Sequence, residues 1–313
     1  MESVKVGQYI LAFFRLIRWP NLLLMSGALL LIRYTFFIPL SIPFVLDELR
    51  FALLVFSTAC IGASGYVVND IYDLENDRVN KPDRMQIGRF FSERFAWNSF
   101  YALFLVGAAL GWYLGQYTGR SLYGAINIIT GFWLYLYAAD FKGRPLLGNV
   151  MISFLSAGVL TYPLFFDVLP RLPLTENDPG LQALLILSVY FCYAFTISLM
   201  RELVKDMEDI EGDQKIGLRT LPIAWGKGIA RALILFIGLL LFSSFGYIGF
   251  LSWSGNIISG SYILFALSLP TFMALVLSIR AKKPSDFHFV SSLLKGVMAA
   301  AILSIPVITL SSI

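Results

Sequence analysis

The sequence predicts an all-α protein: a polytopic membrane bundle of nine transmembrane helices with cytoplasmic cap loops. Three observations carry this. Hydrophobic residues make up 58% of the 313, and the mean hydropathy is +0.74. Charged residues are only 14%, against roughly 25% in soluble domains. The apolar residues also fall into long runs, each near the ~20 residues a helix needs to cross ~30 Å of hydrocarbon.

The elements follow in order. The head, "MESVKVGQYILAFFRLIRWPN", reads as an amphipathic segment over residues 1–19, lying on the membrane surface and stopped by Pro20. No signal peptide is read there. Nine spans follow, at 21–40, 51–69, 96–114, 121–138, 149–166, 181–200, 230–250, 258–279 and 289–310. The fourth and fifth are short and carry glycine. Polar segments at 70–95 and 201–229 read as cytoplasmic loops with some helix of their own. Within the second, "GLRTLPIAWGK" has enough apolar residues to lie over something. No linker or low-complexity run divides the chain, so 1–313 is read as one membrane domain.

Lys and Arg set the orientation. With the N-terminus inside, 20 of the 24 basic residues fall on inside segments, leaving Arg33, Arg50, Arg120 and Arg171 outside. The chain is therefore expected to be a multi-pass integral membrane protein, with its N-terminus and both polar loops cytoplasmic and its C-terminus outside. The net charge of +4 is mostly this bias and calls for no nucleic acid. No protein partner is implied. Cys60 and Cys192 both lie in spans, outside any C-x-x-C, and argue against a disulfide or thiolate metal site. The single histidine, His288, reads as a solvated loop residue and not a zinc ligand.

One pattern does not belong to a bilayer. Asp70, Asp73 and Asp77 follow the second span, and Asp206, Asp209 and Asp213 recur 136 residues later after the sixth. An even number of spans separates the two, so both sets face the same side, as in a parallel repeat. On a helix, i, i+3 and i+7 share one face. Three carboxylates there repel, and nothing in folding asks for that twice. A divalent cation removes the conflict. Magnesium takes oxygen ligands, commonly one or two carboxylates with substrate phosphates completing the shell. Two such stripes would hold Mg2+ against a diphosphate.

The basic residues fit that picture. Arg84, Lys142, Arg144, Arg201 and Lys205 can reach phosphate oxygens, although each also serves the positive-inside bias. Asn69, beside Asp70, is read as a metal or phosphate contact. Glu75, Glu208 and Glu211 fall off the stripes and read as solvated. A diphosphate held by cations is a good leaving group, and an isoprenyl chain is the natural carbon skeleton to leave behind in a bilayer. Its allylic cation would be sheltered by aromatic faces, with Tyr66, Tyr135, Tyr137 and Tyr193 near the cytoplasmic ends. The implied partners are a prenyl diphosphate, a lipid-soluble acceptor and membrane lipid. The competing class is a cation transporter, but transporter acids lie near the bilayer midplane and these cluster at one end.

"NDIYDLENDRVNKPDR" resembles the N-D-x-x-D-x-x-x-D motif of the UbiA superfamily of intramembrane prenyltransferases, and "DIEGD" resembles its second motif, D-x-x-x-D. The resemblance extends to the "RWPN" before the first span and "DFKGRPLLGN" after the fourth. It implies Mg2+-dependent prenyl transfer with release of diphosphate. It places metal and catalytic roles on Asp70, Asp73, Asp77, Asp209 and Asp213, with Asn69 in the first motif. Arg18, Asn21 and Lys142 match further family positions. "RELVKDMEDIEGD…G…TLPI" is similar to the branch that makes ether-lipid cores, which implies a geranylgeranyl donor, geranylgeranylglyceryl phosphate as acceptor, and Asp206 as an extra acid. Members of that branch often continue N-R-P-x-R-P-I-P-S-G after the first motif, whereas this chain reads "NKPDRMQIGR". The aromatic acceptors of other branches (4-hydroxybenzoate, dihydroxynaphthoate or homogentisate) therefore stay open.

Overall fold

The computed structural model of the chain describes residues 6–80, 85–215 and 217–313. Among these, the only β pairing is an isolated bridge between Ile87 and Phe91. The helices are α1 (Val6–Leu16), α2 (Trp19–Leu31), α3 (Glu48–Tyr72), α4 (Leu74–Asn80), α5 (Glu93–Tyr117), α6 (Ser121–Ala139), α7 (Leu147–Gly158), α8 (Pro179–Glu208), α9 (Ile210–Lys215), α10 (Leu221–Ala224), α11 (Lys227–Gly255), α12 (Ile257–Tyr262), α13 (Leu269–Arg280) and α14 (Pro284–Ser311). Wider π turns continue α2 to Phe37 and join α12 to α13.

Among the described residues, eight helices are long and apolar enough to span a membrane. A ninth span forms if Leu147–Thr161 and Leu164–Arg171, bent by 40°, are taken together. The expected spans sit in these positions, and the glycine-bearing fifth is the broken one. Several limits differ. Both motif-bearing helices run further than hydropathy suggests, because α3 continues to Tyr72 and α8 to Glu208. Residues 201–208, expected in a loop, are helix. The head is helical only to Leu16. Its break falls at Arg18, which has φ 51°, while Pro20 sits in the first turn of α2, where its missing N–H costs nothing. Arg33 is not in an outer loop: it lies in the π turn ending the first span, fully buried, with its guanidinium 3.5 Å from the Phe44 ring centroid.

The chain clusters into two compact units. The first is Met1–Gly27, Val45–Lys142 and Phe165–Pro170. Its tightest packing is around α5, where Gly107, Gly111 and Gly115 recur every fourth residue. A Cβ on Gly115 would lie 2.4 Å from the Gly124 nitrogen, and one on Gly111 2.5 Å from Asn127 Nδ2. Small residues at this spacing let helix backbones approach where lipid supplies no hydrophobic drive. Asn127 donates to Ser57 Oγ and to the Gly107 carbonyl, tying α6 to α3 and α5. At the far end of α3, Leu16, Val67, Val68, Ile71, Ala96, Phe100 and Ala138 form a core that fixes the end of that helix. Helix α1 packs on it through Ala12 and Leu16. Its Val6, Ile10, Leu11 and Phe14 face outward, as an interfacial helix requires.

The second unit is Ala28–Phe44, Gly143–Leu164 and Arg171–Ile313. Its core joins α8, α11, α13 and α14 through residues such as Met200, Leu203, Val204, Leu241, Val290 and Leu294. Leu221 of α10 is buried in the same core beside Met207 and Ile210, so the apolar part of "GLRTLPIAWGK" lies over the end of α8.

The glycine contacts give a direct test. Gly115→Ala should destabilise the protein by about 1–3 kcal/mol through overpacking. Gly27→Ala, where a Cβ meets nothing within 4 Å, should be neutral or better. Thermal melts in detergent compare the two.

Candidate active site

The two aspartate sets occupy the C-terminal ends of the 25-residue α3 and the 30-residue α8. A helix C-terminus carries partial negative charge, so carboxylates there are each disfavoured by about 0.3–1 kcal/mol. The backbone treats both sets alike. Asp73 ends α3 with φ −85° and ψ −1°, and Asp209 ends α8 with φ −95° and ψ 6°. Both values lie in the sparsely populated bridge region, where many active-site residues sit. Each N–H still bonds four residues back, Asp73 to Asn69 and Asp209 to Lys205, both at 2.9 Å. Asp77 then bonds Asp73, and Asp213 bonds Asp209. The expected single helical stripe is therefore broken at its middle aspartate in both places, and a short helix, α4 or α9, begins at the next residue. The sequence repeat is a structural one.

In the first unit, two cations reach the acids. Arg18 Nη2 donates to Asp70 Oδ1 at 2.7 Å, with its guanidinium carbon 5.0 Å from the Tyr66 ring centroid. Arg18 holds a left-handed backbone, uncommon for a residue with a Cβ. The turn it makes carries the chain from α1 into α2 and is closed by the Asn21 N–H on the Arg18 carbonyl at 2.9 Å. Lys142, in a short 3-10 turn after α6, donates to both oxygens of Asp73. Asn69 Nδ2 also donates to Asp73 Oδ2, at 2.7 Å. Asn69 is thus placed to orient its neighbour. Asp77 is half-buried on α4, and Tyr137 is half-buried near the end of α6. Tyr135 lies under the Tyr72 hydroxyl, with the oxygens 3.1 Å apart. Arg84 lies outside the described residues.

The second unit is arranged differently. Asp206 Oδ2 accepts from Asn149 Nδ2 at 3.0 Å. Arg201 and Lys205 both donate to Glu202, at 3.0 and 2.8 Å, on one side of α8. Asp213 is buried and Asp209 half-buried. Arg144 is exposed in the turn before α7. Tyr193 stacks on Phe245 at 4.8 Å within the core, so it packs the bundle and does not shelter a cation. His288 is neither in a loop nor without a partner: it stands in the first turns of α14, with Nδ1 2.9 Å from Glu208 Oε1. Glu208, expected in solvent, is that partner.

Sequence reasoning missed Asn149 and Glu202. Glu202 carries a findable signal, an acid three residues before Lys205 on a helix. Asn149 closes the "DFKGRPLLGN" stretch that carries part of the resemblance, but its spacing gives it no role.

Among the described residues, no three His, Cys, Asp or Glu side chains gather about one point. The available donors are carboxylate oxygens with amides beside them, a hard set. Mg2+ commonly takes only one or two protein carboxylates and leaves the rest of its shell to phosphate and water, so the residues fit that ion.

Fold and site together define a polytopic helical membrane protein with duplicated acidic helix ends. The model of the UbiA prenyltransferase family matches residues 22–293, and the chain belongs to that family. It is 34% identical over 198 residues to digeranylgeranylglyceryl phosphate synthase of Methanopyrus kandleri, covering 62% of this chain and 66% of that one. For the synthase of Thermococcus gammatolerans the figures are 30% over 257 residues, 82% and 84%. The match spans less than two thirds of several relatives, 59% for Thermococcus kodakarensis and 56% for Methanosarcina mazei. A structure described as giving structural and mechanistic insights into digeranylgeranylglyceryl phosphate synthase in membranes superposes with a TM-score of 0.64 at 25% identity, covering 96% of this chain and 99% of that one. A UbiA homolog from Archaeoglobus fulgidus bound to DMAPP and Mg2+ superposes at 0.60 with 15% identity, covering 94% and 99%, a likeness of fold alone.

Proposed function

We propose that this protein transfers a geranylgeranyl group from its diphosphate to the free hydroxyl of geranylgeranylglyceryl phosphate, with Mg2+. The bond from prenyl C1 to the diphosphate oxygen breaks, a bond from C1 to the acceptor oxygen forms, and the acceptor proton is released with diphosphate. The observation that carries the reading is the placement of Arg18 and Lys142 on Asp70 and Asp73 at the end of α3. Donors that reach these carboxylates also reach a diphosphate bound beside them, and their charge opposes the charge that builds on the leaving oxygens. Mg2+, when bound, neutralises diphosphate charge and polarises the leaving group. At the first set Asp70, Asp73 and Asp77 would hold it, with Asn69 orienting Asp73; at the second set Asp206, Asp209 and Asp213 would hold an ion of their own. Tyr66 already offers its face to a guanidinium, and such a face also suits an allylic cation.

The acceptor carries its own phosphate and needs a separate anionic contact. Arg201 and Lys205, gathered by Glu202, supply two cations on one face of α8. The relatives named as digeranylgeranylglyceryl phosphate synthases support this acceptor. Arg201→Ala should raise KM for geranylgeranylglyceryl phosphate about tenfold with kcat little changed, as expected when a charge-assisted contact of roughly 1.5–3 kcal/mol is lost from ground and transition state alike. Mass spectrometry of products from a panel of acceptors tests the whole reading. Prenylation of a hydroxybenzoate or dihydroxynaphthoate, with glycerol phosphate ethers ignored, would replace this acceptor with an aromatic one.

The metal role makes its own demand. Asp73→Asn and Asp209→Asn should each lower kcat by about 10²–10³-fold in protein that still inserts, and turnover should stop in EDTA. Near-normal rates in either case would remove the metal from the mechanism.

Both motifs are assigned to the cytoplasmic side by the excess of Lys and Arg there. Glu75, exposed beside the first motif, is a suitable reporter. In a chain lacking Cys60 and Cys192, Glu75→Cys should resist an impermeant thiol reagent applied outside the cell and react in inverted vesicles. The reverse pattern would invert the topology.

A further inference from the structure

Asp206 is held in a chemically different way from Asp70 and Asp73. Asp70 and Asp73 accept from a guanidinium and an ammonium. Asp206 accepts from a neutral amide, that of Asn149. An amide donor orients a carboxylate without bringing a charge of its own.

The local backbone is built to bring Asn149 to this point. Leu146 has φ 62° and ψ −38°, and the Leu147 N–H donates to the Pro145 carbonyl at 2.7 Å. This is a γ-turn of the positive-φ kind, rare and strained for a residue with a Cβ. An observed outlier of this sort is a reason to ask what it positions. Leu146 packs against the core of the second unit, which holds the turn in place. Helix α7 starts at the next residue, and Asn149, buried, stands in its first turn facing α8. Without that turn, the first residues of α7 would point elsewhere.

We propose that Asn149 is a positioning residue for divalent-cation binding: its hydrogen bond holds Asp206 in one orientation and so keeps a carboxylate oxygen aimed into the second acid set. This rests on the reading that the second set binds Mg2+. Partners that orient a metal ligand typically matter by 10–100-fold in metal affinity.

The test is Mn2+ binding to purified full-length protein, read by electron paramagnetic resonance of the free ion, without substrate or turnover. Asn149→Leu is nearly isosteric and removes only the donor. It should weaken Mn2+ binding at least tenfold while its melting temperature stays close to wild type. Asn149→Lys replaces the amide with a cation and should weaken binding further, although it too gives Asp206 a donor. In an Asp206→Asn background, Asn149→Leu should add little, since residues acting through one another are not additive. If Asn149→Leu does not yield folded protein, Asn149→Gln and Asn149→Lys make the same comparison, the amide against the cation. Unchanged Mn2+ affinity in Asn149→Leu, additive losses with Asp206→Asn, or equal affinity in the Gln and Lys variants would overturn the role of Asn149. Wild-type protein with no saturable Mn2+ binding would instead remove the metal reading beneath it.

Discussion

Carboxylates at the negative ends of two long membrane helices are the constraint around which the rest is arranged. The helix dipole and the neighbouring acids both oppose such a placement, and so does any nearby hydrocarbon. Each acid set therefore depends on groups brought from elsewhere in the sequence. Arg18 arrives from the turn between α1 and α2, Lys142 from the end of α6, and Asn149 from the first turn of α7. None of these contacts is strong alone. Arg18 and Asp70 keep side-chain exposures of 42% and 21%, and pairs this open contribute about 0–1 kcal/mol. Their value is in position. They set donors at the acidic helix ends, where the proposed reaction brings a diphosphate.

That reasoning explains where the chain accepts strain. Arg18 and Leu146 both carry positive φ, and both stand immediately before a helix that an acid-contacting residue belongs to or adjoins. A glycine at either point would relax the turn, but it would supply neither the guanidinium nor the packing side chain. Asp73 and Asp209 share the bridge conformation because each ends a long helix and opens a short one. The glycine contacts of α5 give the bundle behind the first set a close-packed footing.

Much of this was legible in the sequence, and the physical reason is period and composition. Twenty-residue apolar runs have few alternatives to spanning helices, and the Asp70-Asp73-Asp77 spacing repeated at Asp206-Asp209-Asp213 has few alternatives to a shared chemical task. What was not legible depends on contacts far apart in the chain. Hydropathy ended α8 near residue 200 because Arg201 and Glu202 are charged, yet they pair with each other and with Lys205 and stay helical. Glu208 was assigned to solvent, and the lone His288 to a loop; 80 residues apart, they meet. Tyr193 has the right residue type and height for a cation shelter but spends its face on Phe245. Asn149 stands in the quoted "DFKGRPLLGN", yet its contact with Asp206, 57 residues on, is not visible in the sequence.

A repeat whose halves are held by different partners also bears on how one family can serve different acceptors. The acid spacing and the break at the middle aspartate are common to both sets, so neither feature distinguishes what each set does. The partners do. Cations on Asp70 and Asp73 suit a place where phosphate oxygens gain charge during reaction, since the donors can follow that charge as it moves. A neutral amide on Asp206 suits a place where a carboxylate must be held in one orientation. On the proposed function, the acidic motifs serve to activate a prenyl diphosphate, and the choice of acceptor falls to residues outside the acid spacing. Arg201, Glu202 and Lys205 lie within two turns of Asp206 on the same helix, close enough in the chain for acceptor recognition to change without disturbing the acids.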